Sequence, residues 1–232
     1  MKLCINGFEH TCDINPYQPF MLSVHSKILY TRIISSLLSH LGEHAQEPYA
    51  FIDQDNKAIS PLQACSVIID PFNLPWSDKS FIGELQKQLC ATMQSDINQS
   101  LEIQQQANQL FSLINTYALQ YSADYTFSVE WSLDKFLKSF AFGIELSEQS
   151  TLLDKLIQFL HFAQDIHYKK VIIFVNLSLF LSDNELKIFL EEVLKAPISM
   201  LFLENAIPNN VYNGCNNLVV DEALCETIYK NC

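Results

Sequence analysis

Short unbroken apolar runs and helically spaced apolar residues succeed one another in the first third of the chain. Phe20–Val24 is apolar apart from one serine, which predicts a short buried strand. From about Lys27 to Leu41 the apolar residues recur at intervals of three and four, the spacing of an amphipathic helix, and Gly42 supplies a stop. Further short strands are predicted at Lys2–Ile5 (as an edge strand), Tyr49–Asp53 and Ser66–Ile69.

The pattern changes between Ser77 and about Tyr121, where Gln, Ser, Leu and Asn dominate. A narrow seam recurs at helical spacing here, which predicts two long helices or one broken helix. The seam comprises Ile97, Leu101, Gln104, Asn108, Phe111, Ile114, Ala118 and Tyr121. It favours a helical hairpin, or leg, that projects from a globular body, and the alternative is the ordinary core of one compact domain. A short extended segment, Tyr125–Glu130, and a short helix, Ser132–Ser139, follow.

Alternating helices and strands return in the last third of the chain. An amphipathic helix is predicted over Thr151–Tyr168, and the wholly apolar run Val171–Val175 predicts a strand covered on both faces. The remaining predicted elements are a helix from the capping box Ser182–Glu185 to about Leu194, strands at Ser199–Leu203 and Leu218–Val220, and a C-terminal helix from Asp221. Such alternation is typical of an α/β fold with a mostly parallel sheet.

These elements predict a discontinuous head domain, residues 1–75 and 148–232, with a helical leg domain, residues 76–147, inserted into it. Basic minus acidic residues in 1–75, 76–147 and 148–232 are 4−7, 4−8 and 6−11, or −3, −4 and −5. The acid excess is therefore spread evenly, and no segment is a basic arm.

Composition excludes several classes of protein. With 49% hydrophobic residues among 232, the chain is too apolar to be disordered. Its net charge of −12 makes nucleic acid a poor partner for the outer surface as a whole. Arg32 is the single arginine among 14 basic residues, so any phosphate contacts rest mainly on lysines acting as point charges.

The cysteines and the N-terminus indicate where the protein works. Seven cysteines are scattered without C-x-x-C spacing, so neither a zinc knuckle nor a redox motif is signalled. The first residues lack the apolar core of about seven or more that a signal peptide needs. The longest apolar run, Val171–Val175, is also far below the roughly 18 residues of a membrane span. We therefore expect reduced thiols, a cytoplasmic location and no membrane contact.

The segment FMLSVHSKILYTRI has the layout of a phosphate-binding loop, with a buried strand, a tight turn and a helix. A phosphate-binding loop needs glycines so that backbone N–H groups can surround the phosphate, but His25, Ser26 and Lys27 form this turn. Asn176 stands where a nucleotidase of this layout would place a magnesium-binding aspartate. Both features argue against nucleotide binding and ATP hydrolysis.

Histidines and serines give only weak signals of catalysis. His40 and His44 have i, i+4 spacing but are separated by Gly42, which is expected to end the helix. A G-x-S-x-G elbow and a kinase signature are both missing from the sequence. A hydrolase that uses Ser, His and Asp stays open as an alternative, and it would need a pocket joining His25 or His161 to a serine.

Five lysines are candidate phosphate contacts, although a solvated face is the ordinary role of such residues. They are Lys135 and Lys138, one turn apart on the predicted short helix, and Lys155, Lys169 and Lys170, at the edges of the head. Asp124 and Glu130 flank the predicted extended segment, and carboxylates beside carbonyl oxygens can hold calcium.

The segments KKVIIFVNLSLFLSDNEL and SMLFLEN resemble the Csn-two family, accessory adaptation proteins of type II-A CRISPR systems. In the family a lysine pair precedes a strand ending in FVN, and here these are Lys169-Lys170 and Phe174–Asn176. An aromatic–leucine pair with a capping serine follows, which corresponds to Phe180–Ser182, and the next strand corresponds to Leu201–Glu204. FLKSFAFGIE, which contains Lys138, and AFIDQDNKAIS also resemble the family. The resemblance covers most of the chain.

This resemblance implies a head like a degenerate P-loop ATPase core of the ABC type, without nucleotide, and a helical leg. It also implies a homotetrameric ring whose central hole holds double-stranded DNA. The ring would load at free ends and contact the backbone through lysines. Calcium at acidic residues near the leg would stabilise it, and only Asp124 and Glu130 match acidic positions here.

The leading hypothesis is therefore a non-enzymatic, sequence-independent binder of DNA ends that assists spacer acquisition in antiviral defence. The family works with the adaptation integrase complex and the effector nuclease, and the five lysines are the expected phosphate contacts. The alternative is a docking subunit of the adaptation complex that does not itself bind DNA.

Overall fold

The structure is a computed structural model that describes residues 1–145, 149–205 and 214–229. The chain divides into two compact units after Leu74 and again after Glu145. The first unit holds both terminal parts of the chain, and the second holds Pro75–Glu145. The predicted domain boundary at 147/148 and Cys232 lie outside the described residues.

All ten strands of the described residues belong to the first unit. They are β1 (Lys2–Ile5), β2 (Cys12–Asp13), β3 (Phe20–Val24), β4 (Tyr49–Ile52), β5 (Ala58–Ile59), β6 (Cys65–Ile68), β7 (Val171–Val175), β8 (Met200–Glu204), β9 (Asn216–Val220) and β10 (Glu226–Tyr229). A six-stranded sheet has the order β10-β9-β3-β8-β7-β6. Its strands are parallel from β9 to β6 and antiparallel only at β10. The predicted mostly parallel α/β sheet is thus confirmed.

A second, antiparallel sheet in the same unit has the order β2-β1-β4-β5. Because β1 lies between β2 and β4, its prediction as an edge strand was wrong. Side chains from both sheets share one apolar core, which includes Leu3 and Phe51 from the small sheet and Leu22 and Leu203 from the large one. The three central strands β3, β7 and β8 are buried along their whole length, which explains their almost wholly apolar sequences.

The helices of the first unit are α1 (Lys27–Ser39), α2 (Pro61–Ala64), α6 (Leu152–Asp165) and α7 (Asp183–Val193). Helix α1 ends two residues before Leu41, its predicted last residue, because His40 takes the left-handed conformation with φ of 54°. Capping boxes open α6, from Thr151 and Asp154, and α7, from Ser182 and Glu185. The box at α7 confirms the one predicted from the sequence.

The predicted C-terminal helix is wrong, since the chain forms the strand β10 instead. Leu224 adopts a positive φ of 64°, and Cys225 donates its N–H to Asp221 Oδ1 at 2.8 Å. This tight turn folds β10 back on β9, with Glu226 opposite Val220. The sequence Glu226–Tyr229, with β-branched residues in the middle, suits a strand better than a helix.

The second unit consists of α3 (Lys79–Ser95), α4 (Ile97–Ala118) and α5 (Leu133–Ser139). The two long helices and the short one are as predicted, whereas Tyr125–Glu130 contains no strand. The predicted seam of α4 holds only in part: Phe111 and Ala118 are half-buried on the packed face with Ala107, whereas Ile97 and Leu101 are exposed. None of the helices in the described ranges has the length and apolarity that crossing a bilayer requires.

Candidate nucleic-acid interface and the closed edge of the sheet

The carboxyl ends of β3, β7 and β8 meet at one edge of the six-stranded sheet, where doubly wound folds bind ligands. The turn after β3 runs through His25 and Ser26 into α1. Ser26 Oγ accepts the N–H of Leu29 at 3.4 Å and so caps the helix. In a phosphate-binding loop this turn carries the glycine amides that bind the phosphate. Here the side chain of Ser26 caps the helix at that place instead.

Two asparagines, Asn176 and Asn205, tie the three strands together at this edge. Asn205, directly after β8, donates its backbone N–H to Asn176 Oδ1 at 3.1 Å. Its side-chain amide donates to the carbonyl oxygens of Val24 at 2.8 Å and His25 at 3.4 Å. Asn176 follows β7 in the left-handed conformation, with φ of 51°. The side chains of Asn176 and Asn205 therefore form hydrogen bonds within the protein at this edge, and Asn176 Oδ1 already accepts one of them.

A buried carboxylate lies beside this bridge. Glu204 is 1% exposed, and its two oxygens accept the Oγ–H of Ser178 at 2.6 Å and the N–H of Ser178 at 3.2 Å. Burial raises the pKa of Glu204, and the hydrogen bonds from Ser178 oppose this rise. Next to it, Tyr30 donates its hydroxyl to the carbonyl of Leu203 at 3.1 Å, and burial also raises the pKa of Tyr30. Glu204 thus anchors the turn that follows β7.

Two of the predicted lysines belong to the second unit. Lys135 and Lys138 are exposed on α5, which Ser132 caps by accepting the N–H of Lys135 at 3.2 Å. Three residues apart, they are neighbours on one helix face. The Lys138 ammonium donates to Asp134 Oδ2 at 2.7 Å, so an exposed ion pair offsets part of its charge.

The other three predicted lysines lie in the first unit, at two separate places. Lys169 and Lys170 precede β7, and Lys170 Nζ donates to the carbonyl of Leu62 at 2.8 Å. Lys155 lies in the first turns of α6, whose 14 residues span about 20 Å. Lys155 is therefore at the far end of α6 from Lys169 and Lys170, and the structure does not bring these three lysines into one patch.

The sequence analysis missed a further pair of cations, Lys27 and Arg32. Both are exposed on α1 and line a cleft of about 490 Å³, together with Ile28, Thr31, Ser35 and Gln46. Arg32 forms a long ion pair with Glu47, in which Nη1 and Oε2 are 4.0 Å apart. The signal was present in the sequence, because α1 contains these two charged residues and no acidic one.

The two predicted calcium ligands are both exposed, and the described residues do not join them in one ligand set. Glu130 lines a cleft of about 610 Å³ among amide and hydroxyl side chains, including Asn108 and Thr126, and Asp124 is not part of its lining. Across the described ranges, no three His, Cys, Asp or Glu side chains come together as metal ligands. Calcium binding through Asp124 and Glu130 stays a prediction.

Residues 43–224 match the family described as CRISPR-associated protein (Cas_Csn2). Among solved structures, the chain is similar to the crystal structure of Stu0660 of Streptococcus thermophilus, with a TM-score of 0.59 and 12% sequence identity. That similarity covers 100% of this chain and 76% of the other, and at this identity it shows the fold alone. No curated protein matches the sequence.

Proposed function

The chain belongs to the Csn-two family of CRISPR-associated proteins, and we propose from this that it is a sequence-independent binder of double-stranded DNA ends. In this proposal it assists the acquisition of new spacers in the cytoplasm and catalyses no reaction itself. The family match over residues 43–224 is the observation that carries the proposal.

We also propose that the head is a degenerate P-loop ATPase core of the ABC type. The central strand β3 followed by α1 supports it, because this is the strand–turn–helix layout of phosphate-binding loops. The bridge between Asn176 and Asn205 supports the loss of nucleotide binding, since it uses the groups that would face a phosphate and its metal ion. The edge of the sheet then has a structural role.

Lysine side chains provide the phosphate contacts in the proposal, of which Lys155 and Lys170 are half-buried in the single chain. The pair on α5, Lys135 and Lys138, and the pair before β7, Lys169 and Lys170, are the leading candidates, together with Lys155. Lys27 and Arg32 join them because their cleft on α1 is lined by hydroxyl and amide groups that donate well to phosphate. Contacts of this kind fix the position of the duplex without reading its sequence.

A ring of four chains would reconcile these lysines with the net charge of −12. Cations that face a central hole attract DNA there, while an acidic exterior repels duplexes that approach from the side. Entry at a free end then becomes the productive route. The adaptation integrase complex and the effector nuclease are the proposed partners, and calcium is a proposed stabiliser of the ring.

The test is a gel-shift series with linear duplexes and covalently closed circles of the same sequence. We expect binding to linear DNA that weakens steeply with salt and changes little with sequence, and much weaker binding to circles. Equal affinity for both forms would exclude loading at ends. No binding to linear DNA at low salt would overturn the proposal and favour a docking subunit without DNA contact.

A further inference from the structure

Four large apolar side chains are exposed together at the carboxyl edge of the sheet in the first unit. Phe72 and Phe180 are 62% and 44% exposed, and their rings touch edge to face with centroids 5.5 Å apart. Leu179, next to Phe180, is 73% exposed, and Ile69, just after β6, is 47% exposed. We call these four residues the aromatic patch. Exposed apolar clusters of this kind mark interaction sites in soluble proteins.

A buried acid holds one half of the aromatic patch in place. Leu177–Leu179 is a single 3-10 turn, and both hydrogen bonds from Ser178 to Glu204 fix its middle residue. Burying a carboxylate is costly unless it is hydrogen-bonded, and the two bonds from Ser178 offset part of that cost. The result is a rigid turn that directs Leu179 and Phe180 outward.

A second tight turn holds the other half. Asp70 Oδ1 accepts the N–H of Phe72 at 2.9 Å, and the carbonyl of Asp70 accepts the N–H of Asn73 at 3.2 Å. This is an aspartate turn, in which the side chain fixes the backbone two residues on. The backbone segments that carry both aromatic rings are therefore held by hydrogen bonds within the chain, which lowers the entropy lost on binding.

Both segments that carry the aromatic patch are acidic. Residues 69–74 and 177–186 contain three acidic residues, Asp70, Asp183 and Glu185, and no lysine or arginine. Asp70 and Asp183 are exposed. An acidic rim repels DNA phosphates, and a second copy of the same patch would bring three more acids to the contact. The rim complements a basic protein surface instead.

We propose that the aromatic patch is a docking surface for a basic protein surface that offers an apolar anchor. Proteins that handle DNA carry such basic faces, so the occupant is a DNA-handling protein of the adaptation machinery. This choice of partner rests on the proposed function. The apolar centre supplies affinity, and the acidic rim supplies orientation and rate of encounter.

The test uses the full chain and two purified probes, the adaptation integrase complex and the effector nuclease encoded beside it. Affinity for each is measured with the wild type, the double variant Phe72→Ser/Phe180→Ser and the control Leu62→Ser. Leu62 is 61% exposed and lies before β6, at the opposite edge of the sheet. We expect the double variant to bind at least one probe tenfold or more weakly, and the control to bind as the wild type does.

A second variant, Asp70→Asn, keeps the turn because its amide oxygen still accepts the N–H of Phe72. It removes one charge from the rim, so we expect weaker partner binding with a shallower salt dependence. Circular dichroism and a thermal melt check the fold of each variant. This variant tests the proposal even if the double variant fails to fold.

Other outcomes would overturn the proposal. They are unchanged binding of both probes by the folded variants, binding of neither probe by the wild type, a loss of oligomer mass in the double variant, or a loss of its affinity for linear DNA. The last two would assign the patch to a second copy or to DNA. If the wild type binds no DNA while the double variant loses a protein probe, the proposed function fails and the docking surface stands.

Discussion

Asn176 Oδ1 accepts the backbone N–H of Asn205 at 3.1 Å, which joins the carboxyl ends of β7 and β8. The side-chain amide of Asn205 extends the link to β3 through Val24 and His25. Three parallel strands are thus tied by the side chains of Asn176 and Asn205 at the edge where related layouts bind nucleotides. Here the edge stabilises the head.

Replacing Asn205 with alanine should therefore destabilise the protein. The change removes the donor to two backbone carbonyls at a half-buried position, and the loss of such bonds costs about 1–3 kcal/mol. Urea unfolding followed by circular dichroism measures the effect. The control is Asn184→Ala, at an exposed position in the first turn of α7, which should stay within about 0.5 kcal/mol of the wild type. Equal stability of the two variants would contradict the role of the bridge.

Glu204 should make stability depend on pH in a direction opposite to that of an ordinary surface carboxylate. Its pKa is raised from 4.5 by burial, so the folded protein holds this proton more tightly than the unfolded chain does. The stability that this carboxyl contributes is complete below about pH 4.5 and is lost as the pH rises through the raised pKa. The loss is at most about 1.4 kcal/mol per pH unit inside that window.

The measurement compares the wild type with Glu204→Gln, which cannot ionise. The free energy of unfolding is determined in urea from pH 4 to pH 8, and the two curves are subtracted. We expect the wild type to lose stability relative to Glu204→Gln as the pH rises. A difference that grows in favour of the wild type with pH would mean that Ser178 stabilises the ionised form more than burial penalises it.

Much of the fold could be predicted because burial leaves a plain mark on the sequence. The fully buried strands β3 and β7 appear as short runs that are apolar apart from one serine in β3, and the capping box of α7 has a local signature in Ser182 and Glu185. Local hydrogen bonds and burial on both faces act within a few residues. Such features can be recognised without knowing what lies beside them in space.

The features that were predicted wrongly or missed depend on contacts between parts of the chain that are far apart in sequence. Strand β10 depends on its pairing with β9, a contact that periodicity in Glu226–Tyr229 cannot reveal. The packed face of α4 centres on Ala107, whose small side chain allows close approach, while the larger Leu101 stays exposed. The bridge between Asn176 and Asn205 joins residues 29 apart, so the sequence identified Asn176 as a poor metal ligand but not as a hydrogen-bond acceptor. The lysines remain candidates because their proposed role depends on a proposed assembly of several chains.

The salt dependence of DNA binding should identify which lysines contact phosphate. Each phosphate contact contributes about 0.9 to the slope of log affinity against log salt, so loss of a contacting pair should lower the slope by about 1.8. The variants are Lys135→Gln/Lys138→Gln, Lys169→Gln/Lys170→Gln and Lys27→Gln/Arg32→Gln, each titrated with the same linear duplex at several salt concentrations.

Lys187→Gln is the matched control, because this exposed lysine on α7 has no proposed role. It should leave the slope unchanged. If the slope falls by the same amount per charge removed in the control and in a candidate variant, the effect is diffuse electrostatic attraction and not a specific phosphate contact. Preference between sequences should not change in any variant, since phosphate contacts carry no sequence information.

Calcium should act only on an assembled form of the protein. The ion takes six to eight oxygen ligands, and carboxylates dominate its tight sites. The described residues of one chain place Glu130 among neutral oxygens, with Asp124 outside that lining, and bring no three His, Cys, Asp or Glu side chains together. In the proposed ring, further acidic ligands would come from a second chain. Light scattering with calcium or with a chelator should then show a larger mass with calcium at high protein concentration, and no calcium effect on dilute chains. Asp124→Asn/Glu130→Gln should abolish the calcium-dependent mass while Asp55→Asn, in an exposed turn of the first unit, preserves it. A single-chain mass under both conditions would contradict calcium-dependent assembly and the ring with it.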